Sequence, residues 1–504
     1  MGTLVRNATV ALAFIWTFHA SVGVAAEPEN NQPPAQGLEV FVNALAEKAA
    51  LYEKAGQRAE VCAMAGRALF FKSDHAAAAK LRLDNVAAGN APGKPQKIGP
   101  ADLKKADTNI QQALSNSIAT FVEEAVNAKR FSDAGYWIRL TAEAHAKGAG
   151  DTKQAETVHK SLRGHIAKLV EGHALWPARS ALISLAAMEV SAAEKKEREK
   201  ALSDVNAQLK TDIEERDTTI ATIMGGVSPP PEKSKNKGGK NKSGNDKPEK
   251  KPGKGYCELK ASAHEMRYFL SLPEGFDAAN AARYPVIVSV NGSGADYELE
   301  IKSWAGPHRG RGYIFVAPVT TSNTDKQQYP DAAGSSSGPK ALAFDVAGVQ
   351  AVLDDIEDRF LGDRERFFVS GFSGGGNFTY YSALWNHQRW RAAVPRNPNY
   401  FGDAKYGDPY GLSKKAVPET DIHFPVYIFT SGDDEHKEST FGKTPGIESQ
   451  TQEALRDFKK FRYVCVQRTE IPGLKHGQTH KYYDKILEWL DAVQKGTHFS
   501  RSQK

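Results

Sequence analysis

The chain is poor in cysteine. Cys62, Cys257 and Cys465 are spread over 504 residues. An odd count permits at most one disulfide and leaves a thiol, so no disulfide framework holds this protein together. None of the three sits in a C-x-x-C or Cys/His arrangement, which excludes the ligand spacing of a structural zinc. Long hydrophobic runs are equally scarce. One apolar stretch, from about Ala8 to Val24, follows Arg6 at the amino end. Small residues close it, with Val24 and Ala26 at the two key positions of an A-x-A-like cleavage site, before a polar, Pro-rich segment. That is the pattern of a secretory signal over residues 1–26. An uncleaved anchor would have to span the bilayer with a run near the lower length limit. The expectation is a secreted or periplasmic chain with no transmembrane segment in its mature form.

Large apolar residues vanish from a second stretch. Residues 229–255, PPPEKSKNKGGKNKSGNDKPEKKPGKG, hold nine lysines against three acids. That net of +6 equals the formal charge of the whole chain, so the remainder is close to neutral. Such a composition cannot offset its own ordering entropy, and 227–255 reads as a flexible linker. A nucleic-acid-binding domain carries its positive charge on a folded face with aromatics nearby. Here the charge sits on a tether, which argues against nucleic acid and leaves loose attraction to an anionic envelope surface as its sharper use.

The linker divides two unlike halves. Residues 37–226 are dominated by Ala, Glu, Lys and Leu with apolar positions recurring at three and four, the period of packed helices. The stretch from Leu45, with Tyr52 four residues before a turn at Gly56, has the shape of a tetratricopeptide-type hairpin, and the stretch from Phe121 is similar. Two degenerate copies fit a short solenoid or a plain bundle equally. Ser191 to Thr222 reads as one long, exposed closing helix. This half is a candidate for docking a protein or envelope partner.

After the linker, short β-branched and aromatic runs alternate with helical periods: MRYFLSL, YPVIVSV, GYIFVAPV, the helix LAFDVAGVQAVLDDIEDRF, RFFVSG, RAAVP, FPVYIFTSG, YVCVQRTEIPG and the helix YYDKILEWLDAV. The alternation predicts an α/β domain over 256–496, a mostly parallel sheet covered on both faces. Ligands in such sheets sit beyond the carboxyl ends of the strands. One strand there, Phe367 to Val369, runs through Gly371-Phe372-Ser373-Gly374-Gly375 into a helix, which is the G-x-S-x-G elbow in its expected context. A side chain at the flanking positions would meet the backbone, so glycines expose one hydroxyl, and Ser373 is the candidate nucleophile.

A serine nucleophile needs a base, an orienting acid and donors for the oxyanion. The strand PVYIFTSG ends in Asp433-Asp434-Glu435, of which Asp434 is the favoured acid. His476, in the loop after the next strand, is the candidate base, with His480 as a substitute. The amide of Gly374 and that of Ser293, in the loop Asn291-Gly292-Ser293-Gly294, are the candidate oxyanion donors. The segment Arg396 to Phe424, rich in Tyr, Pro and Gly, is expected to form part of the substrate wall.

These residues carry a resemblance. Residues 256–495 resemble the α/β-hydrolase superfamily, most closely its secreted polyhydroxybutyrate-depolymerase, feruloyl-esterase and acetylxylan-esterase-like branch, through PVIVSVNGSG, FDVAGVQAVLDDIEDRF, DRERFFVSGFSGGG and the PGLKHG loop before EWL. The resemblance implies a Ser–Asp–His esterase acting on a polysaccharide-linked or polyester-type ester, with no metal or cofactor. Two positions depart from it: the family usually has His where Asn291 stands, and its acid usually lies three residues after the strand-end glycine, which would select Glu435.

Overall fold

In a computed structural model, the structure describes residues 35–87, 96–147, 152–225, 255–279, 282–324, 326–329, 339–400, 402, 408, 410–439 and 445–496. The secretory-signal and most of the linker expectations lie outside these residues. No helix among the described residues is long and apolar enough to cross a membrane.

Among the described residues the amino-terminal half holds helices and no strand: α1 (Ala35–Lys54), α2 (Arg58–Phe71), α3 (Ala76–Ala87), α4 (Pro100–Asn127), α5 (Phe131–Lys147), α6 (Thr152–Glu171), α7 (Leu175–Ser184), α8 (Ala192–Gln208) and α9 (Lys210–Met224). The α1–α2 hairpin turns at Gly56, where φ is +71°, a conformation that costs glycine little. A single apolar core, with Phe41, Leu114, Phe121, Trp137 and Leu182 among its buried members, joins these helices. The expected single closing helix is two. It breaks at Leu209 because its halves serve different cores: Val205 and Leu209 pack into the helical core, whereas Ile223 is buried against the second domain. Its end is therefore covered rather than exposed.

The second domain is an eight-stranded sheet in the order β1-β2-β4-β3-β5-β6-β7-β8. The strands are β1 (Cys257–Lys260), β2 (Arg267–Ser271), β3 (Tyr284–Val290), β4 (Ile314–Pro318), β5 (Gly362–Phe372), β6 (Ala392–Arg396), β7 (Val426–Ser431) and β8 (Val466–Ile471). β2 runs antiparallel to β1 and β4, and the remaining pairs are parallel. This is the α/β-hydrolase order, so the expected fold class, an α/β hydrolase preceded by a separate helical domain, is what the chain adopts. The strands read as continuous apolar runs because both faces are buried. Val286, Val288 and Val290 of β3 face one core, and Ile287 faces the other. The first core is closed by α11 (Pro339–Arg359), α12 (Gly375–Trp385) and α13 (Ile447–Lys460). The second is closed by α10 (Tyr297–His308) and α14 (Tyr483–Gln494), through Trp304, Tyr483 and Leu487 among others.

The helical domain docks on the amino ends of β5 and β6 through a set of paired charges, together with the apolar contact of Ile223. Arg67 makes a two-pronged bond to Glu365 at 2.6 and 2.8 Å. Arg139 pairs with Glu357 and, at 3.4 Å, with Asp358, which also accepts the Ser132 hydroxyl at 2.6 Å. Asp133 accepts from both Arg364 and Arg389, the latter at 2.9 Å. These groups are nearly all buried, and each charge has an opposite partner, the condition under which burial of charge is tolerated. Removing one partner strands the others. Asp133→Ala should lower the unfolding free energy by about 3–5 kcal/mol, measurable by chemical denaturation; a loss under about 1 kcal/mol, the size of an exposed pair, would show that the interface does not hold the domains.

Candidate active site

The carboxyl ends of β3, β5, β6, β7 and β8 meet at one edge of the sheet, opposite the docked helical domain, and every predicted site residue lies there. Ser373 sits between β5 and α12 with φ of +50°, a left-handed conformation costly for a residue with a side chain. Its backbone is clamped from both sides: its N–H donates to the Arg396 carbonyl at 3.0 Å, and its carbonyl accepts from Asn399 at 2.9 Å. The flanking glycines are required by contact. A Cβ on Gly371 would lie 2.1 Å from the Gly375 carbonyl oxygen, and one on Gly375 would lie 2.3 Å from that of Val290. Only a bare backbone can turn this tightly.

Of the three adjacent acids, one meets the histidine. Asp434, buried, holds His476 Nδ1 from Oδ2 at 2.8 Å, and its Oδ1 accepts the His436 N–H at 2.8 Å. Glu435, the position selected by the family pattern, instead accepts the backbone N–H of His476 at 3.0 Å. Asp433 is exposed, and its N–H ties the loop to the Leu474 carbonyl at 3.0 Å. A neutral imidazole that donates Nδ1–H to this carboxylate presents its lone pair at Nε2. The Phe372 ring, 5.0 Å from the imidazole, and the His436 ring, 4.8 Å from it, hold its plane. His480 is exposed on the pocket wall.

The Ser293 nitrogen lies close to Gly374: a Cβ on Gly374 would be 3.2 Å from it. Among the described residues, neither amide donates to a protein acceptor. The loop that carries Ser293 is anchored by the one after β4. Asn323 donates to the Asn291 carbonyl, and Thr324 donates to that of Ser293 at 2.9 Å. The side chain at Asn291 stays local, accepting the Gly292 N–H at 2.7 Å. A buried carboxylate holds the anchoring loop in turn: Asp345 accepts from Thr321 at 2.9 Å and Ser322 at 2.7 Å.

Four consecutive residues, from the last of β6 onward, organise the rest, and sequence alone assigns none of them an individual role. Arg396 is wholly buried and bonds Glu300 at 2.6 Å, Ser289 and Ser370 at 2.8 Å, and Tyr483 at 2.5 Å. Asn397 binds Ser431 and, at 2.7 Å, the carbonyl of His476. Pro398 packs on Gly376, where a Cβ would meet it at 2.4 Å. Asn399 accepts the Ser373 hydroxyl at 3.4 Å. A basic residue closing a fully apolar strand was the available signal for Arg396. Of the segment expected to form part of the substrate wall, Asn399 lines the pocket, whereas Tyr400 and Tyr410 are buried in the core with their rings 5.9 Å apart; Phe401 and Tyr406 lie outside the described residues.

The pocket encloses about 630 Å³ and runs past Ser373, from Asp296, Leu299 and Ser303 on one side to Asn399, His436 and Ile447 on the other. Its described lining includes no Lys or Arg side chain.

No protein-family model matches the sequence, and no curated protein does. Solved structures similar in shape to about half the chain include an esterase from the Planctomycetes species Thermogutta terrifontis, 16% identical, covering 50% of this chain and 97% of its own, with a TM-score of 0.34. An α/β hydrolase from a Medee basin deep-sea metagenome library is 15% identical over 47% of this chain and 97% of its own, at 0.34. A thermostable esterase is 18% identical over 47% and 62%, at 0.33.

Desolvation pushes the Asp345 carboxyl up to about 7, with the Ser322 and Thr321 donors pulling it down. The native state thus retains a proton that the unfolded chain, at the usual ~3.9, releases. This group's contribution to stability is complete below about pH 4 and is lost as pH rises through about 7. Asp345→Asn, which does not ionise, should flatten the fall in denaturation midpoint between about pH 5 and about pH 7.5; an unchanged slope would rule the group out as its source.

Proposed function

We propose that this chain is a secreted serine hydrolase that cleaves carboxylic esters through Ser373, His476 and Asp434. The observation that carries the reading is the Asp434–His476 bond at 2.8 Å, in the same pocket as a serine held at a strained elbow and beside two unused amides. In the first step, His476 Nε2 takes the Ser373 proton while Oγ bonds to the ester carbonyl carbon. The Gly374 and Ser293 N–H groups receive the negative charge that develops on the carbonyl oxygen. Asp434 keeps the imidazole in the tautomer that accepts at Nε2 and stabilises its charged form. The imidazolium then protonates the departing alcohol, and water repeats the sequence on the acyl-enzyme.

The pocket's size and openness suit a substrate larger than a simple acetate, and a polysaccharide-linked or polyester-type ester fits that shape. Asp296 in the lining, with no Lys or Arg among the described lining residues and with Glu300 already paired to Arg396, favours a neutral one. The helical domain leaves the site uncovered and is assigned a separate role, docking to a protein or envelope partner.

Turnover of short chromogenic esters tests the triad. Ser373→Ala and Asp434→Asn should each reduce kcat by about 10³-fold or more, whereas Glu435→Gln should cost less than about tenfold. Turnover that survives Ser373→Ala, or a larger loss at Glu435 than at Asp434, contradicts these assignments. For the lining, a neutral dimethyl ester should exceed its monoanionic half-ester in kcat/KM by about fivefold or more, a difference that Asp296→Asn narrows. Equal rates would remove the electrostatic part of the reading.

A further inference from the structure

The Ser373 hydroxyl has one proton, and two acceptors compete for it. His476 must take it for attack, yet the hydrogen bond in the structure runs from Ser373 Oγ to Asn399 Oδ1 at 3.4 Å. The orientation of that amide is dictated by its neighbours. Gln450, fully buried, accepts the Tyr400 N–H on Oε1 at 2.6 Å and donates from Nε2 to the Pro445 carbonyl at 2.7 Å. Its oxygen therefore faces Asn399, and an oxygen there is satisfied by a donor. Asn399 Nδ2 turns to it at 3.3 Å, which leaves the carbonyl end for Ser373. A flipped Asn399 would set two amide oxygens against each other. The Asn399 N–H, bonded to the Ser373 carbonyl at 2.9 Å, keeps the side chain beside the nucleophile. Asn399 is 7% exposed and lines the pocket, so its carbonyl is within reach of a bound substrate but poorly served by water.

We propose that Asn399 is a catalytic residue that holds Ser373 in a resting rotamer, and that the esters this site favours carry a hydroxyl or N–H donor beside the scissile bond. The substrate's donor takes over the Asn399 carbonyl and frees the Ser373 proton for His476. An ester without such a donor leaves a buried carbonyl unpaired in the attacking state and reacts more slowly, because a buried acceptor stripped of its partner is destabilised. Polyol esters and hydroxy-acid esters meet this requirement; simple alkyl esters do not. The proposal rests on Ser373 as nucleophile. In the attack itself the Oγ–carbon bond forms, the Oγ proton passes to His476 Nε2, and that proton later leaves with the alcohol.

The test compares matched esters across variants. kcat/KM is measured for 2-hydroxyethyl and 2-methoxyethyl butanoate, and for 4-nitrophenyl glycolate and methoxyacetate, with wild type, Asn399→Leu and Asn399→Asp. For at least one pair, the hydroxyl-to-methoxy ratio should be about fivefold to tenfold higher in wild type than in Asn399→Leu, mainly because the variant gains on the methoxy ester. Asn399→Asp, a stronger acceptor when ionised, should widen the ratio. Ratios equal in all three proteins overturn the proposal. If thermal unfolding shows that Asn399→Leu is not folded, Asn399→Asp decides alone, and a ratio no higher than wild type overturns it. Labelling by a fluorophosphonate, in which the Oγ–P bond forms, fluoride leaves and the proton passes to His476, gives a readout independent of substrate choice. Asn399→Leu should label about threefold faster or more, and an equal or slower rate counts against the resting-rotamer role. Labelling or turnover that survives Ser373→Ala is a different failure, that of the nucleophile assignment itself.

Discussion

The ion pair between Arg396 and Glu300 is the contact around which the site is built. It lies beneath the pocket, with Arg396 fully buried, and the desolvation of two charges is heavy unless every donor finds a partner. Here the guanidinium is bonded in its plane to Glu300, Ser289, Ser370 and Tyr483 and is flanked by the rings of Trp304 at 5.5 Å and Tyr483 at 5.1 Å. Each partner comes from a different functional element. Ser370 belongs to the strand entering the Ser373 turn, and Ser289 to the strand entering the Asn291–Gly294 loop. Glu300 lies on the helix leaving that loop, and Tyr483 begins the helix after the histidine. One rigid fork thus sets the spacing between the Ser373 turn, the Ser293 loop and His476.

The residues that follow extend the same frame. Asn397 holds the carbonyl of His476, and Asn399 holds that of Ser373, so both residues are referred to one short segment. Two residues in this region adopt left-handed backbone conformations, Ser373 at φ +50° and Asn397 at +40°. Such conformations persist where surrounding contacts over-determine them, and the buried network supplies those contacts. Strain is concentrated at Ser373 and Asn397, and the scaffold that tolerates it lies one layer below.

The two ends of the sheet are divided in purpose. At the carboxyl ends the groove is open; at the amino ends the helical domain is locked on by paired charges, Arg67 with Glu365 and Asp133 with Arg364 and Arg389 among them. Paired charges demand a specific geometry where apolar contact tolerates sliding, so the domains are held in one arrangement. The helix α9 adds an apolar clasp through Ile223.

The features legible in sequence were those that obey local rules. A glycine-framed serine between an apolar strand and a helix announces an elbow because backbone crowding permits no other residues there. Strand and helix periods announce a doubly covered sheet because burial on both faces demands continuous apolar runs. Loops at strand ends announced where an acid and a histidine belong. Choosing Asp434 over its neighbours required the tertiary structure, since which of three consecutive carboxylates points at an imidazole depends on the turn that carries them. The same holds for Arg396 with Glu300, Asn399 with Ser373, and the break at Leu209: each joins residues far apart in the chain, or two cores that the chain order alone does not bring together. Sequence determined the fold and the kinds of groups at the site, through packing rules that act over a few residues. Three-dimensional closure decided their pairing, because hydrogen-bond partners are selected by distance in space.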